Sequence, residues 1–164
     1  MIILGLDPGF ATIGFGVIES ERGRVGLIDY GAIVTPKEKS FPERLALIEK
    51  GVMQLIGKYR PDQVAIEELF FNTNITTGIN VAHARGVILL VCERECHGNL
   101  FEYTPLQIKQ ALTGYGRADK QQMMQMVKTY LRLDKVPRPD DAADALAVAL
   151  CHSQTNRLGG LFRI

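Results

Sequence analysis

The sequence predicts an α/β domain built on a mixed sheet of about five strands, with helices on both faces. Three observations carry that expectation. Short apolar runs ending in turn residues alternate with longer stretches of helical periodicity. The first three runs are joined by turns and the later ones by helices, so antiparallel and parallel pairing are both expected. At 164 residues, 46% hydrophobic and 23% charged, the chain has the length and composition of one soluble globular domain with its own core.

Residues 2–6 are apolar apart from Gly5 and stop at Asp7-Pro8-Gly9, which reads as a central strand buried on both faces and followed by a turn. Residues 14–19 and 24–34 are two further strands joined by a tight turn at Arg22-Gly23, so a meander opens the domain. Ser40 and Glu43 form a capping-box pattern. Leu45, Ile48, Val52, Leu55 and Tyr59 mark the apolar stripe of the helix they begin, and Arg60-Pro61-Asp62 stops it. A short strand at 63–66 ends in Glu67-Glu68, and a long helix is expected from about 74 to 96. Residues 100–103 form another strand, after which Thr104-Pro105 gives an N-cap with proline at the first helical position of a short helix to 112. Asp119 caps a helix running to about residue 133, Pro137 and Pro139 break the chain, and a last helix covers 140–153. There is no internal repeat, low-complexity segment or linker, so residues 1–153 are expected to be a single domain and 154–164 a short, loose C-terminal tail.

Composition narrows the functional classes. No apolar run reaches the roughly 18 residues of a membrane span, and the opening MIILGLDPG reads as a strand rather than a leader peptide. Cys92, Cys96 and Cys151 cannot all pair with one another, so a reducing, cytoplasmic location is expected. Cys92-x3-Cys96-His97 with Cys151-His152 would supply four zinc ligands, but the spacing is poor and all lie in or beside apolar helical segments; small buried thiols explain them better. A formal charge of +1 does not point to nucleic acid by itself. Two divalent ions held by four carboxylates would add four positive charges, raising the working charge to about +5.

Four carboxylates form the candidate site. Asp7 and Glu67 each end an apolar strand. A right-handed crossover through the helix at 40–59 makes those strands parallel, with both acids at the carboxyl edge, where open α/β sheets place their ligands. Asp141 and Asp144 are three residues apart on one helical face, and Val148 and Cys151 continue the stripe, turning the acidic face inward. The alanines around them let the helix lie close to the sheet. Taken singly, an Asp before Pro-Gly is often a turn residue, and first-turn acids answer the helix dipole; Asp140 reads as such a cap. Taken together, four acids in one cleft require a counter-charge, and hard oxygen donors select a divalent ion of the magnesium kind.

The stretches LGLDPGFATIGFGVI, VAIEELFFNTN, ARGVILL, ADKQQMMQMV and DDAADALAVALCH resemble, in the same order, those of the bacterial RuvC family of crossover junction endodeoxyribonucleases. The resemblance runs from residue 1 to about 153. It implies a ribonuclease-H-like fold, a homodimer, and magnesium-dependent resolution of four-way (Holliday) junctions by paired symmetric nicks. It further implies two-metal hydrolysis leaving 5′-phosphate and 3′-hydroxyl ends, with Mn2+ able to substitute for Mg2+. Its catalytic, metal-binding positions fall on Asp7, Glu67, Asp141 and Asp144, and it implies a RuvA–RuvB branch-migration complex as partner. By the same resemblance Phe70 is an aromatic that disturbs base stacking, and Lys109 and Lys120 are DNA contacts. Arg117 is a further phosphate candidate on position alone. Arg85-Gly86 interrupts the long helix, where a glycine suggests either a dimer contact or internal close packing. Glu68 is expected on the opposite face of its strand from Glu67.

Three other readings fit parts of this pattern. The strand–Asp–turn–hairpin opening also resembles actin-like ATPases and sugar kinases, which need a second domain and phosphate loop that 164 residues do not hold. A DNA-binding module without catalysis would not require all four acids. Ribonuclease-H-like nucleases acting on RNA hybrids or linear DNA share the carboxylates, and only substrate choice separates them.

Overall fold

The computed structural model describes residues 1–69, 75–155 and 161–164 and, for residues 75–77, the backbone alone. Three strands come first: β1 (Ile2–Asp7), β2 (Thr12–Glu21) and β3 (Arg24–Val34). They are followed by α1 (Phe41–Tyr59), β4 (Gln63–Glu67), α2 (Ile75–Cys96), β5 (Leu100–Tyr103), α3 (Pro105–Thr113), α4 (Lys120–Tyr130) and α5 (Asp140–Thr155). The sheet order is β3-β2-β1-β4-β5, with β1–β2 and β2–β3 antiparallel and β1–β4 and β4–β5 parallel. The mixed five-stranded sheet expected from the sequence is thus formed. Among the described residues no helix is long and apolar enough to cross a membrane.

Strand alternation sorts the core into two layers. Leu4, Leu6, Val64, Ile66 and Leu100 face α1 and α2, packing against Ile48, Val52, Ala84, Ile88 and Cys92. Ile3, Ala65, Phe101 and Tyr103 face the other way, against Leu146, Leu150 and Cys151 of α5 and Ile108, Met123 and Val127 beyond it. The sheet therefore separates Cys92 and Cys96 from Cys151, and the three are buried free thiols on opposite sides rather than one ligand cluster.

Local signals set most element ends. Ser40 N–H donates to Glu43 Oε2 at 2.8 Å, Gln107 N–H to Thr104 Oγ1 at 3.2 Å, and Gln122 N–H to Asp119 Oδ1 at 2.8 Å. These caps satisfy amides that have no partner within the helix. Several ends differ from the sequence reading: β2 runs Thr12–Glu21 rather than 14–19, and two others bear on the packing. α4 stops at Tyr130 rather than near 133, because Arg132 turns left-handed (φ 52°) and Leu133 N–H returns to Lys128 O at 2.9 Å, a Schellman-type closure. The tail is not loose throughout. α5 runs to Thr155, Glu102 N–H donates to Phe162 O, Ile164 N–H donates to Leu100 O, and the Phe162 ring lies 5.0 Å from that of Tyr103. Residues 161–164 cover the open edge of β5, where unpaired amides would otherwise face solvent.

The far end of α5 is pinned by a buried polar chain. His152 Nδ1 lies 2.7 Å from Tyr103 Oη and Nε2 lies 2.8 Å from Gln63 Oε1. Burial drives the imidazole pKa down to about 4. The ring is therefore neutral near pH 7, with one nitrogen donating and the other accepting.

Candidate active site

Each acid reaches the site by a separate structural device. Leu6 is in register with Ile66 on the parallel neighbour, so Asp7 and Glu67 follow at the same level where β1 and β4 end. Both share the strand parity of Ile3, Gly5 and Ala65, and hence the α5 face. Asp7 is also paired across the antiparallel ladder with Gly14. A Cβ built on Gly14 would stand 1.9 Å from Asp141 O, and one on Gly5 would stand 2.2 Å from Ala145 O. The backbone of α5 thus lies on that of β1 and β2, which only glycine permits at these two positions. Small helix residues, Ala142, Ala145 and Ala149 among them, are fully buried in that contact.

The electrostatics show the other three carboxyls acting on Asp7. Burial, then repulsion from Glu67, Asp144 and Asp141, raises the Asp7 pKa to about 8, with Lys120 opposing. Burial and then Asp144 raise Glu67 to about 7, with Lys109 opposing. Burial likewise lifts Asp144 above the ordinary carboxylate range, against the pull of Lys120. Among the described residues no three acidic, imidazole or thiol side chains already converge closely enough to enclose an ion. Lys109 lies on the Glu67 side of the site, and Lys120 Nζ lies 3.3 Å from both Asp144 Oδ2 and Asp140 Oδ2. Burial works against the Lys120 ammonium, but attraction and hydrogen bonds from Asp144 and Asp140 outweigh it and raise its pKa.

A cleft of about 220 Å³ opens here, walled by Glu67, Asp144, Lys109 and Lys120 with Pro105, Ile108, Met123 and Ala147. Two cations facing two carboxylates suit a phosphate bridged to a divalent metal. A larger depression of about 620 Å³ lies between Thr113, Tyr115 and the outer side of α4. It has no acidic wall and is not the chemical site.

The other sequence candidates fall as follows. Lys109 and Lys120 both line the cleft. Arg117 is exposed, in the loop before α4. Phe70, with Phe71, lies outside the described residues. Glu68 is exposed, and its charge acts on Arg85 of α2, placing it on the side away from α5. Arg85 does not interrupt α2; its guanidinium pairs with Glu102. Gly86 is not a site of close internal packing, since a Cβ there would meet nothing within 4 Å. Sequence reasoning missed Gly14, whose signal was a glycine in a strand pattern. It also passed over Asp140, read only as a helix cap.

The family model described as "Crossover junction endodeoxyribonuclease RuvC" matches residues 3–152. A protein of that name from Alkaliphilus oremlandii (strain OhILAs) is 56% identical over 164 residues, covering 100% of this chain and 99% of the relative. The solved structure of Thermus thermophilus RuvC superimposes with a TM-score of 0.90 at 34% identity, covering 100% of each chain. The same protein in complex with a Holliday junction substrate gives 0.89 at 32% identity, again covering 100% of each.

Proposed function

Because the chain belongs to the RuvC family of crossover junction endodeoxyribonucleases and has its ribonuclease-H-like fold, we propose that it resolves four-way DNA junctions by metal-dependent phosphodiester hydrolysis. The reaction takes place at Asp7, Glu67, Asp141 and Asp144. The observation that carries this reading is geometric: Asp7 and Glu67 stand level where β1 and β4 end, with Asp144 of α5 close enough for its charge to raise the pKa of both. Such a site is short of positive charge, and its donors are all hard oxygens.

That donor set fits Mg2+, or Mn2+ in its place. Two bound ions would activate a water and stabilise the leaving 3′ oxygen, giving 5′-phosphate and 3′-hydroxyl ends. The protein's own groups do the rest. Asp7 and Glu67, fixed at the ends of β1 and β4, would hold the inner side of the metal site, and Asp141 and Asp144 would close it from α5. Lys109 and Lys120, on the cleft wall, would hold the scissile and neighbouring phosphates as point charges. Arg117 extends that contact, and Phe70 stacks on bases opened at the crossover.

A second copy of the chain completes the junction-resolving unit, its two-fold axis matching that of the DNA so that paired symmetric nicks result. The outer face of α2 supports this arrangement. Ile79 and Leu90 are 50% and 48% exposed, and Gly86, with open space beyond it, lies on the same stripe, about two turns after Ile79 and one before Leu90. Exposed aliphatics flanking a glycine suit the close approach of two helices. Of the remaining expectations, a cytoplasmic location rests on the three free cysteines, and hand-over from a RuvA–RuvB branch-migration complex rests on the family resemblance.

The test is cleavage of a panel of strand-labelled four-way, RNA–DNA hybrid and linear substrates with Mg2+. Paired nicks at symmetric positions in the four-way junction alone, abolished by Asp7→Asn, are expected. Cutting of hybrids or linear duplex at equal rates would replace junction resolution with a broader nuclease activity.

A further inference from the structure

Asp140 stands just outside the four-acid set, and the geometry around it is unlike that of a helix cap. Lys120 Nζ is 3.3 Å from Asp140 Oδ2 and 3.3 Å from Asp144 Oδ2. The two acids are one helical turn apart on α5 and so share a face. Asp144 lines the cleft and Asp140 does not. The other Asp140 oxygen, Oδ1, accepts from Arg138 Nη1, so the carboxylate stands between two cations. The ammonium of Lys120 is thus shared between an inner seat, proposed above as a metal ligand, and an outer seat paired with a second cation.

We infer that Asp140 is a positioning residue for Lys120: it takes over the ammonium when a divalent cation claims Asp144, and it keeps Lys120 at the mouth of the cleft. This rests on the metal-site reading above. Without the outer seat, Lys120 would have to exchange Asp144 for water, and so would compete harder with the cation for that carboxylate. With it, Lys120 shifts from a shared pair to a single pair without leaving the cleft wall, where its charge can meet a phosphate. The Lys120–Asp140 pair is 55% and 40% exposed, so its effect is a modest one on metal affinity rather than an all-or-none requirement.

The experiment is Mn2+ titration of the free full-length protein by electron paramagnetic resonance, with no DNA present. Wild type, Asp140→Asn, Asp140→Glu, Lys120→Met and the double variant Asp140→Asn/Lys120→Met are compared. Asp140→Asn is expected to weaken Mn2+ binding about three- to fivefold, the scale of an exposed ion-pair coupling. Asp140→Glu, which keeps the seat, is expected to stay within about twofold of wild type. In the Lys120→Met background the same asparagine substitution should cost little, because its effect acts through the lysine. Equal losses in both backgrounds would assign Asp140 a direct charge effect and overturn the inference, as would no loss in either. Wild-type protein with no saturable Mn2+ binding would overturn the metal-site reading itself.

Discussion

Asp7 is the side chain whose surroundings leave it least able to carry its charge. Its pKa of about 8 in the fold compares with about 4 in an unfolded chain. Between those values the folded protein binds the proton and the unfolded chain does not, so stability falls as pH rises through that window. Glu67, at about 7, acts in the same direction over a narrower range. Metal-free Asp7→Asn protein should therefore melt above wild type, by a margin that is small at about pH 4 and widens to about pH 8. Saturating Mg2+ should reverse the order, since only wild type retains the ligand. Thermal unfolding followed by circular dichroism checks both statements, and a margin independent of pH would contradict them. At this scale the sequence was informative where a residue's role follows from its own element. Asp7 and Glu67 end apolar strands, and Asp141 and Asp144 share a helical face. It was not informative for Asp140, because a first-turn acid already has a sufficient local reason in the helix dipole, and only the folded chain brings Lys120 to it.

The elements matter through how closely they approach. α5 carries two of the acids, and its height above the sheet is set at Gly14, where an added Cβ would stand 1.9 Å from Asp141 O. Gly14→Ala must lift or slide the acid-bearing end of α5. It should destabilise the protein by about 1–3 kcal/mol and lower the rate of junction cutting by about 10- to 100-fold at saturating metal. Single-turnover cleavage beside a melting curve separates these effects, and an unchanged rate would release Asp141 from the proposed geometry. The sequence pointed to the alanines of this helix but not to the facing glycines, since a strand glycine signals a close approach without saying what approaches. α2 presents the opposite case. Its polar and apolar residues follow no clear helical stripe, so the sequence marks no seam; the fold buries Ala84, Ile88, Val91 and Cys92 and leaves Ile79 and Leu90 exposed. Leu90→Arg should leave the fold intact and yield monomers by sedimentation equilibrium at concentrations where wild type is dimeric. A dimeric Leu90→Arg protein would place the two-fold contact elsewhere.

For the whole molecule, the order of elements and their pairing were legible because each rested on a local signal: a run ended by a turn, a capping box, a proline. The separation of Cys92 and Cys96 from Cys151 by the sheet was not local, nor was the return of residues 161–164 to the edge of β5. A hydrogen bond such as Ile164 N–H to Leu100 O joins segments whose own sequences give no sign of each other. The architecture brings four remote acids to one end of the sheet, and in the proposed function junction cutting depends on that convergence. Anomalous diffraction from crystals soaked in Mn2+ tests it most directly. The expected result is density within about 2.0–2.4 Å of the Asp7 carboxylate, shared with Glu67 and with at least one of Asp141 and Asp144. Ordered Mn2+ bound away from Asp7, or held by acids from only one of the two pairs, would contradict it.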